Sequence, residues 1–118
     1  MTNKQSVRVD YSARFKKDLK RLNKKYRNIR ADVQTFIEQL ERGETPGDQV
    51  QGVKYTVYKA RIKSTDMAKG ARGSYRVIYY IRTTDHIFLV TMYAKSEQSD
   101  ISQDEIRRIV ETLEPPKE

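Results

Sequence analysis

The sequence contains no cysteine, no tryptophan and a single histidine, His86. The lack of cysteine excludes disulfides, thiolate metal sites and a cysteine nucleophile. A single histidine excludes a zinc site built from several histidines, and it excludes a catalytic histidine pair. The longest apolar run, around Ile87 to Val90, is far too short to cross a bilayer, and no apolar run follows the N-terminus. We therefore expect a small cytoplasmic protein without a membrane segment or a signal peptide.

Carboxylates are scarce in the part of the chain that is richest in predicted strands. Between Lys54 and Lys95 the only acids are Asp66 and Asp85, and both fall in predicted loops. A two-metal nuclease needs clustered carboxylates to hold its ions. We therefore expect no metal and no other cofactor, so that any phosphoryl chemistry must use Lys, Arg and Tyr.

Positive charge is abundant and clustered. The chain has 118 residues, with 24 basic and 16 acidic residues and a formal net charge of +8. Residues 14–30 hold nine basic residues and one acid, and residues 54–82 hold eight basic residues and one acid. Such clustering indicates a polyanionic partner. The length fits a single domain over residues 1–118, with a core at about residues 7–113.

Apolar residues at helical spacing predict three helices. Phe15, Leu19 and Leu22 form the first stripe, after Ser12 as a possible N-cap, and residues 23–28 break it. A second stripe runs from Ile29 to Leu40, and Gly43 ends it. A capping box of Ser102 and Glu105 precedes the last stripe, which consists of Ile106, Ile109, Val110 and Leu113.

Between the second and third helices the period changes to that of strands. Val7 and Val9 already indicate a short first strand. Residues 55–62, 75–82 and 86–94 predict three more, separated by a loop at residues 63–74 and a short turn, and residues 43–52 predict a loop. The expected fold is α+β, with an N-terminal strand and a helical hairpin packed on a small antiparallel sheet, followed by a C-terminal helix.

The predicted strands carry a set of cationic and phenolic side chains that can meet at one end of the sheet. Lys59 and Arg61 leave the same face of one strand, Arg76 begins the next strand, and the third ends with Tyr93 and Lys95. The intervening loop adds Lys69 and Arg72. These residues predict a basic, aromatic-bearing concavity suited to phosphate contacts and base stacking.

Such a concavity can support metal-free cleavage of RNA. The 2′-hydroxyl is a nucleophile already held beside its own phosphate, so the protein has mainly to orient and to neutralise charge. A lysine crowded by other cations loses its proton more readily and can act as a general base. DNA lacks the 2′-hydroxyl and would be bound without being cut.

The sequence resembles the RelE/ParE toxin superfamily of bacterial toxin–antitoxin modules, specifically its RelE/HigB-like branch. The resemblance covers about residues 7–113. It is carried by residues 15–22 (FKKDLKRL), 58–62 (YKARI), 73–80 (GSYRVIYY) and 92–97 (MYAKSE). It implies a ribosome-dependent mRNA endonuclease that inhibits translation and is inhibited by an acidic antitoxin in a hetero-oligomer.

The resemblance also implies roles for particular residues. The catalytic basic strand of the family looks like Lys59 and Arg61, its strand-opening arginine like Arg76, and its basic residue after the last strand like Lys95. Where RelE-like enzymes place a tyrosine before the last helix, this chain has Ile101 and Ser102, so Tyr93 is the candidate substitute.

Two alternatives stay open. ParE-like members share the fold and poison gyrase without cutting RNA, and a basic RNA-binding protein could bind without cleaving.

The basic residues around the first helix are either a solvated face or a docking surface for ribosomal RNA. They are Lys16, Lys17, Lys20, Arg21, Lys24 and Lys25.

Overall fold

The computed structural model describes residues 7–66 and 74–114 as an α+β fold. The elements, in chain order, are β1 (Arg8–Tyr11), α1 (Ala13–Asn23), α2 (Ile29–Glu41), β2 (Asp48–Gln49), β3 (Val57–Lys63), β4 (Ser74–Thr83), β5 (His86–Ala94) and α3 (Gln103–Glu111). The predicted fold class is confirmed, with the N-terminal strand, the helical hairpin, the sheet and the C-terminal helix all present. No helix in the described part of the chain is both long and apolar enough to cross a membrane.

The sheet is mixed rather than wholly antiparallel. Its strand order is β1-β5-β4-β3-β2, and β1 pairs in parallel with β5 while the other neighbours are antiparallel. Parallel strands need a long connection, and here both helices and three strands lie between β1 and β5. The predicted loop at residues 43–52 contains β2, a two-residue strand that pairs with Tyr58 and Lys59. So short a strand has no alternation by which its sequence could reveal it.

Two hydrophobic layers lie on opposite faces of the sheet. The alternation of β3 and β4 directs Ala60 and Val77 toward α1 and α2, where Phe15 and Leu40 are fully buried. The intervening positions face α3. That second layer consists of Val53, Val57, Ile78, Tyr80, Val90, Ile106 and Val110. A single short helix therefore covers one face of the sheet, and it covers that face only in part.

Both predicted serine caps form. The Ser12 hydroxyl accepts a hydrogen bond from the backbone N–H of Phe15 at 2.8 Å, and Ser102 accepts one from the N–H of Glu105 at 3.1 Å. The Glu105 carboxylate pairs across the fold with Arg14 at 2.8 Å. The cap of α3 thus also ties that helix to α1.

Helix α1 closes the part of the β5 edge that β1 leaves open. Ser12 donates its hydroxyl hydrogen to the carbonyl of Val90 at 2.6 Å. The carboxylate of Asp18, which is 2 % exposed, accepts the Thr91 hydroxyl and the backbone N–H of Met92. Buried polar groups of this kind are stable only when they are hydrogen-bonded. The lone acid of the first basic segment is therefore a structural residue at a sheet edge.

Candidate functional site

The candidate site occupies the part of the α3-facing sheet surface that lies beyond the helix. Arg61 pairs with Arg76 in the β3–β4 register, and Arg76 pairs with Tyr93 in the β4–β5 register. These three residues thus form one row across three strands. Directly opposed residues of antiparallel strands project from the same face. Lys59 lies two residues before Arg61 and therefore shares that face.

Three of the predicted catalytic residues line one open cavity. It has a volume of about 450 Å³ and is bounded by Lys59, Arg61 and Arg76 together with residues 46–48. A second cavity of about 260 Å³ adjoins it and contains Lys59, Asp100, Gln49 and Gln103 above an apolar base that includes Ile106. Lys59 and Asp48 line both cavities. The sequence-based expectation that Lys59, Arg61 and Arg76 converge is met in this geometry.

A glycine allows the loop before β2 to pass close to β3 at the wall of the first cavity. Gly47 has φ +94°, and a Cβ atom there would lie 2.2 Å from the carbonyl oxygen of Lys59. Only glycine combines this left-handed conformation with so close an approach to β3. The neighbouring carbonyl of Pro46 accepts the Tyr79 hydroxyl at 2.5 Å. Burial raises the pKa of that tyrosine well above its usual range, so the hydroxyl stays protonated and remains a donor.

The two arginines of the site carry charge that the described protein does not neutralise. Arg76 donates from its guanidinium to the Ser74 hydroxyl at 2.8 Å. Within residues 7–66 and 74–114, neither Arg61 nor Arg76 makes an ion pair with a carboxylate. A planar guanidinium offers several donors that match a phosphate. The first cavity is thus a cationic recess able to take an anion.

Asp100 is a member of the site that the sequence analysis missed. Its Oδ1 atom lies 3.0 Å from the Lys59 ammonium, and the same atom accepts the backbone N–H of Ile101 at 2.8 Å. The N–H of Ile101 and the Lys59 ammonium hold the pKa of this carboxyl below its usual range. An acid just before a capped helix was the available signal, because Asp readily bonds to nearby backbone N–H groups.

Tyr93 belongs to the row of Arg61 and Arg76, but its side chain is not exposed. Its side chain is buried at 2 % exposure, and its hydroxyl donates to Asp100 at 3.4 Å. Burial raises the pKa of Tyr93 to about 12, with a further contribution from the charge of Asp100. The phenol is therefore protonated near neutral pH. Its buried ring does not offer a face on which a base could stack.

Lys95 lies apart from the cavities. It is exposed in the turn directly after β5 and lines neither of the two cavities described above. The predicted loop residues Lys69 and Arg72 lie outside the described residues. Among the described residues, no group of three or more His, Asp or Glu side chains is placed to hold a metal ion.

The basic residues of the first segment lie on α1 and just after it, outside the two cavities described above. The lysines of this segment are exposed, and α1 packs on the opposite hydrophobic layer. Arg21 differs from them, because its guanidinium pairs with Asp18 at 2.6 Å and with Glu97 at 2.7 Å. The predicted docking group thus divides into exposed lysines and one arginine engaged within the fold. Arg21 is exposed as well, and the exposed members that form no ion pair within the described residues are Lys16, Lys17, Lys20, Lys24 and Lys25.

Comparison with known proteins gives two kinds of similarity. Residues 14–113 match the model of a family described as the RelE toxin of the RelE/RelB toxin–antitoxin system. A structure of the E. coli toxin RelE in the free state, with two arginines replaced by alanine, superposes with a TM-score of 0.54 at 16 % identity. The match covers 92 % of this chain and 98 % of that one. At this identity the structural likeness establishes the fold alone.

A structure of TrmO from Pseudomonas aeruginosa is less similar. It has 14 % identity and a TM-score of 0.42, and the match covers 76 % of this chain and 36 % of that one. So low a score carries no functional argument.

Proposed function

The chain belongs to the RelE toxin family, and from this premise we propose that it is a ribosome-dependent mRNA endonuclease that cuts by metal-independent attack of the RNA 2′-hydroxyl. As a toxin of a toxin–antitoxin module it has an antitoxin partner. The proposed setting is the cytoplasm, where mRNA and ribosomes are available.

One observation carries the proposal. Lys59, Arg61 and Arg76 line a single open cavity, and Arg61 and Arg76 are directly opposed in the sheet. Like charges that share one cavity repel each other, and a bound anion would offset that repulsion. A phosphate of the RNA backbone has the matching charge, and arginine can bind it through two parallel hydrogen bonds.

The chemistry proposed for this cavity is charge stabilisation around an internal nucleophile. The 2′-oxygen attacks the adjacent phosphorus and loses its proton, and the bond to the 5′-oxygen of the next nucleotide breaks as that oxygen gains a proton. The products are a 2′,3′-cyclic phosphate and a free 5′-hydroxyl. Arg61 and Arg76 would stabilise the charge that builds on the phosphate oxygens.

The geometry also bears on the role of Lys59. Its ammonium donates a hydrogen bond to Asp100 at 3.0 Å, and an ammonium has three donor hydrogens and no acceptor site. We therefore assign Lys59 a phosphate-binding role in preference to that of general base. Tyr93 is a positioning residue in this scheme, because its hydroxyl contacts Asp100 while its ring is buried. Lys95, exposed after β5, would contact RNA outside the first cavity.

Brief induction followed by primer extension on cellular mRNA tests the proposal. We expect new 5′ ends inside translated codons for the wild-type chain and none for Arg76→Ala. Arg82→Ala is the matched control, because Arg82 lies on the same strand and face, at the other end, near Glu114. Intact mRNA together with arrested replication would instead indicate gyrase as the target. Intact mRNA with normal growth would indicate a protein that binds RNA without cleaving it.

A further inference from the structure

Asp100 places a carboxylate beside the cationic cavity. Within residues 7–66 and 74–114, it is the carboxylate that forms an ion pair with this group of cations. Its side chain is 62 % exposed and that of Lys59 is 38 % exposed, so solvent and solutes can reach the pair. Asp48 faces Lys59 from the neighbouring strand without forming an ion pair with it.

The two partners differ in how firmly they are held. The Asp100 carboxylate also accepts the N–H of Ile101 at 2.8 Å and the hydroxyl of Tyr93 at 3.4 Å. It therefore keeps two hydrogen bonds when the ammonium leaves. Lysine carries its charge at the end of a flexible four-carbon stem. The ammonium of Lys59 is thus the part of the pair that can move.

Lys59 also lies at the boundary between the two cavities, since it lines both. In the free protein its ammonium is directed to Asp100, in the smaller cavity. The larger cavity, with Arg61 and Arg76, lies on its other side. A change of side-chain rotamer can carry the ammonium across that boundary without movement of β3.

We propose that Asp100 competes with the substrate phosphate for the ammonium of Lys59. Asp100 binds this ammonium in the free protein and releases it when a phosphate group enters the cavity of Arg61 and Arg76. The inference builds on the proposed function, since the phosphate would belong to RNA. Asp100 then lowers the affinity of the protein for any phosphate backbone. Lys59 binds a phosphate only when that phosphate is correctly placed in the cavity.

The test measures binding in the absence of cleavage. A 2′-O-methyl RNA oligonucleotide, which cannot be cut, is titrated at low salt and followed by fluorescence anisotropy. Asp100→Asn should bind about twofold to fivefold more tightly than wild type, the range expected when a solvent-exposed ion pair no longer competes. Asp104→Asn is the matched control for net charge, because Asp104 is 66 % exposed and pairs with Arg107 on α3. The gain should be absent when Asp100→Asn is combined with Lys59→Met.

Each result decides the inference. An unchanged or weaker affinity for Asp100→Asn overturns it, and weaker binding would mean that Asp100 holds Lys59 in its binding position. A gain that persists with Lys59→Met, or that Asp104→Asn reproduces, also overturns it by showing a general charge effect.

A second probe separates this inference from the proposed function. Inorganic phosphate is titrated at neutral pH while the ¹⁵Nζ resonance of Lys59 is followed by NMR. Half-saturation should occur at a lower phosphate concentration in Asp100→Asn than in wild type. If phosphate competes in this way but RNA is neither bound nor cut, the proposed function is wrong and the competition stands. If RNA is cut but phosphate does not compete, the competition is wrong and the proposed function stands.

Discussion

The carboxylate of Asp18 accepts the backbone N–H of Met92 at 3.2 Å, so a side chain of α1 completes the hydrogen bonding of a sheet edge. The same carboxylate pairs with Arg21 at 2.6 Å, and Arg21 continues to Glu97 in the turn after β5. Arg14, which also pairs with Asp18, reaches Glu105 on α3. One buried acid thus connects α1 to both ends of the segment that carries Asp100.

This connection predicts a large effect of a small substitution. Asp18→Asn should lower the free energy of unfolding by about 1–3 kcal/mol, because a buried acceptor of several hydrogen bonds loses its charge and half of its accepting atoms. Urea unfolding measures the change. Asp104→Asn, at an exposed site, should stay within about 0.5 kcal/mol of wild type. Equal effects of the two substitutions would show that Asp18 contributes nothing beyond its charge.

Arg76 should matter for cleavage rather than for folding. Its guanidinium lines the cavity without an ion-pair partner in the described chain, so its loss removes charge stabilisation and leaves no buried carboxylate behind. Arg76→Ala should reduce the cleavage rate about 100- to 1000-fold, as the loss of one donor to a developing anion does. The circular dichroism spectrum should be unchanged. Full toxicity of Arg76→Ala, or an equal loss in Arg82→Ala, would refute the assigned site.

The proposed reaction fixes the chemical ends of its products. Cleavage should leave a 2′,3′-cyclic or 3′-phosphate upstream and a 5′-hydroxyl downstream, because the 2′-oxygen is the nucleophile. End-group analysis of the fragments reads this directly. A 2′-deoxy substitution at the cut position should prevent cleavage. Cleavage that EDTA abolishes while the ribosomes stay intact would show that a metal ion takes part.

The pKa of Asp100 should depend on its hydrogen-bond partners. Its pKa is held low first by the N–H of Ile101 and then by Lys59. Lys59→Met should therefore raise that pKa part of the way toward the ordinary value, and the effect is read from the carboxyl resonance by NMR. Because the folded pKa is below the unfolded one, the stabilisation is present above the unfolded value and is lost as the pH falls through the folded value. An unchanged pKa in Lys59→Met would contradict the ion pair.

Association with the antitoxin should slow as salt is added. The toxin carries a formal net charge of +8, and an acidic partner would be steered toward it at long range. Stopped-flow measurements between about 50 and 500 mM salt cover a range over which the electrostatic screening length shortens strongly. We expect a steep fall in the association rate and a smaller change in the dissociation rate. A flat association rate would mean that apolar docking alone recognises the toxin.

Local patterns in the sequence predicted most of the fold. Alternation in β3 placed Lys59 and Arg61 on one face, and the serines at 12 and 102 cap their helices as predicted. The limits arise where distant segments meet. Nothing near Val9 indicates parallel pairing with β5, and nothing near Asp48 indicates a two-residue strand. Both are set by long-range contacts.

The candidate site shows the same division. The row of Arg61, Arg76 and Tyr93 follows from strand periodicity once the strands are taken to be adjacent. The pairing of Asp100 with Lys59 joins residues 41 positions apart, and it depends on how the segment between β5 and α3 turns back. Asp18 resembled an ordinary surface acid because it lies among lysines, and only its hydrogen bonds to β5 reveal its burial.

The partial cover that α3 gives the sheet has an evolutionary consequence. Lys59, Arg61 and Arg76 belong to neither hydrophobic layer, so a lineage can exchange them at little cost in stability. The packed residues are more constrained, because a change of side-chain volume in the core lowers stability. Such a fold allows the residues of its site to change while the backbone persists. Substitutions in the site can therefore alter or remove the activity while the chain still folds.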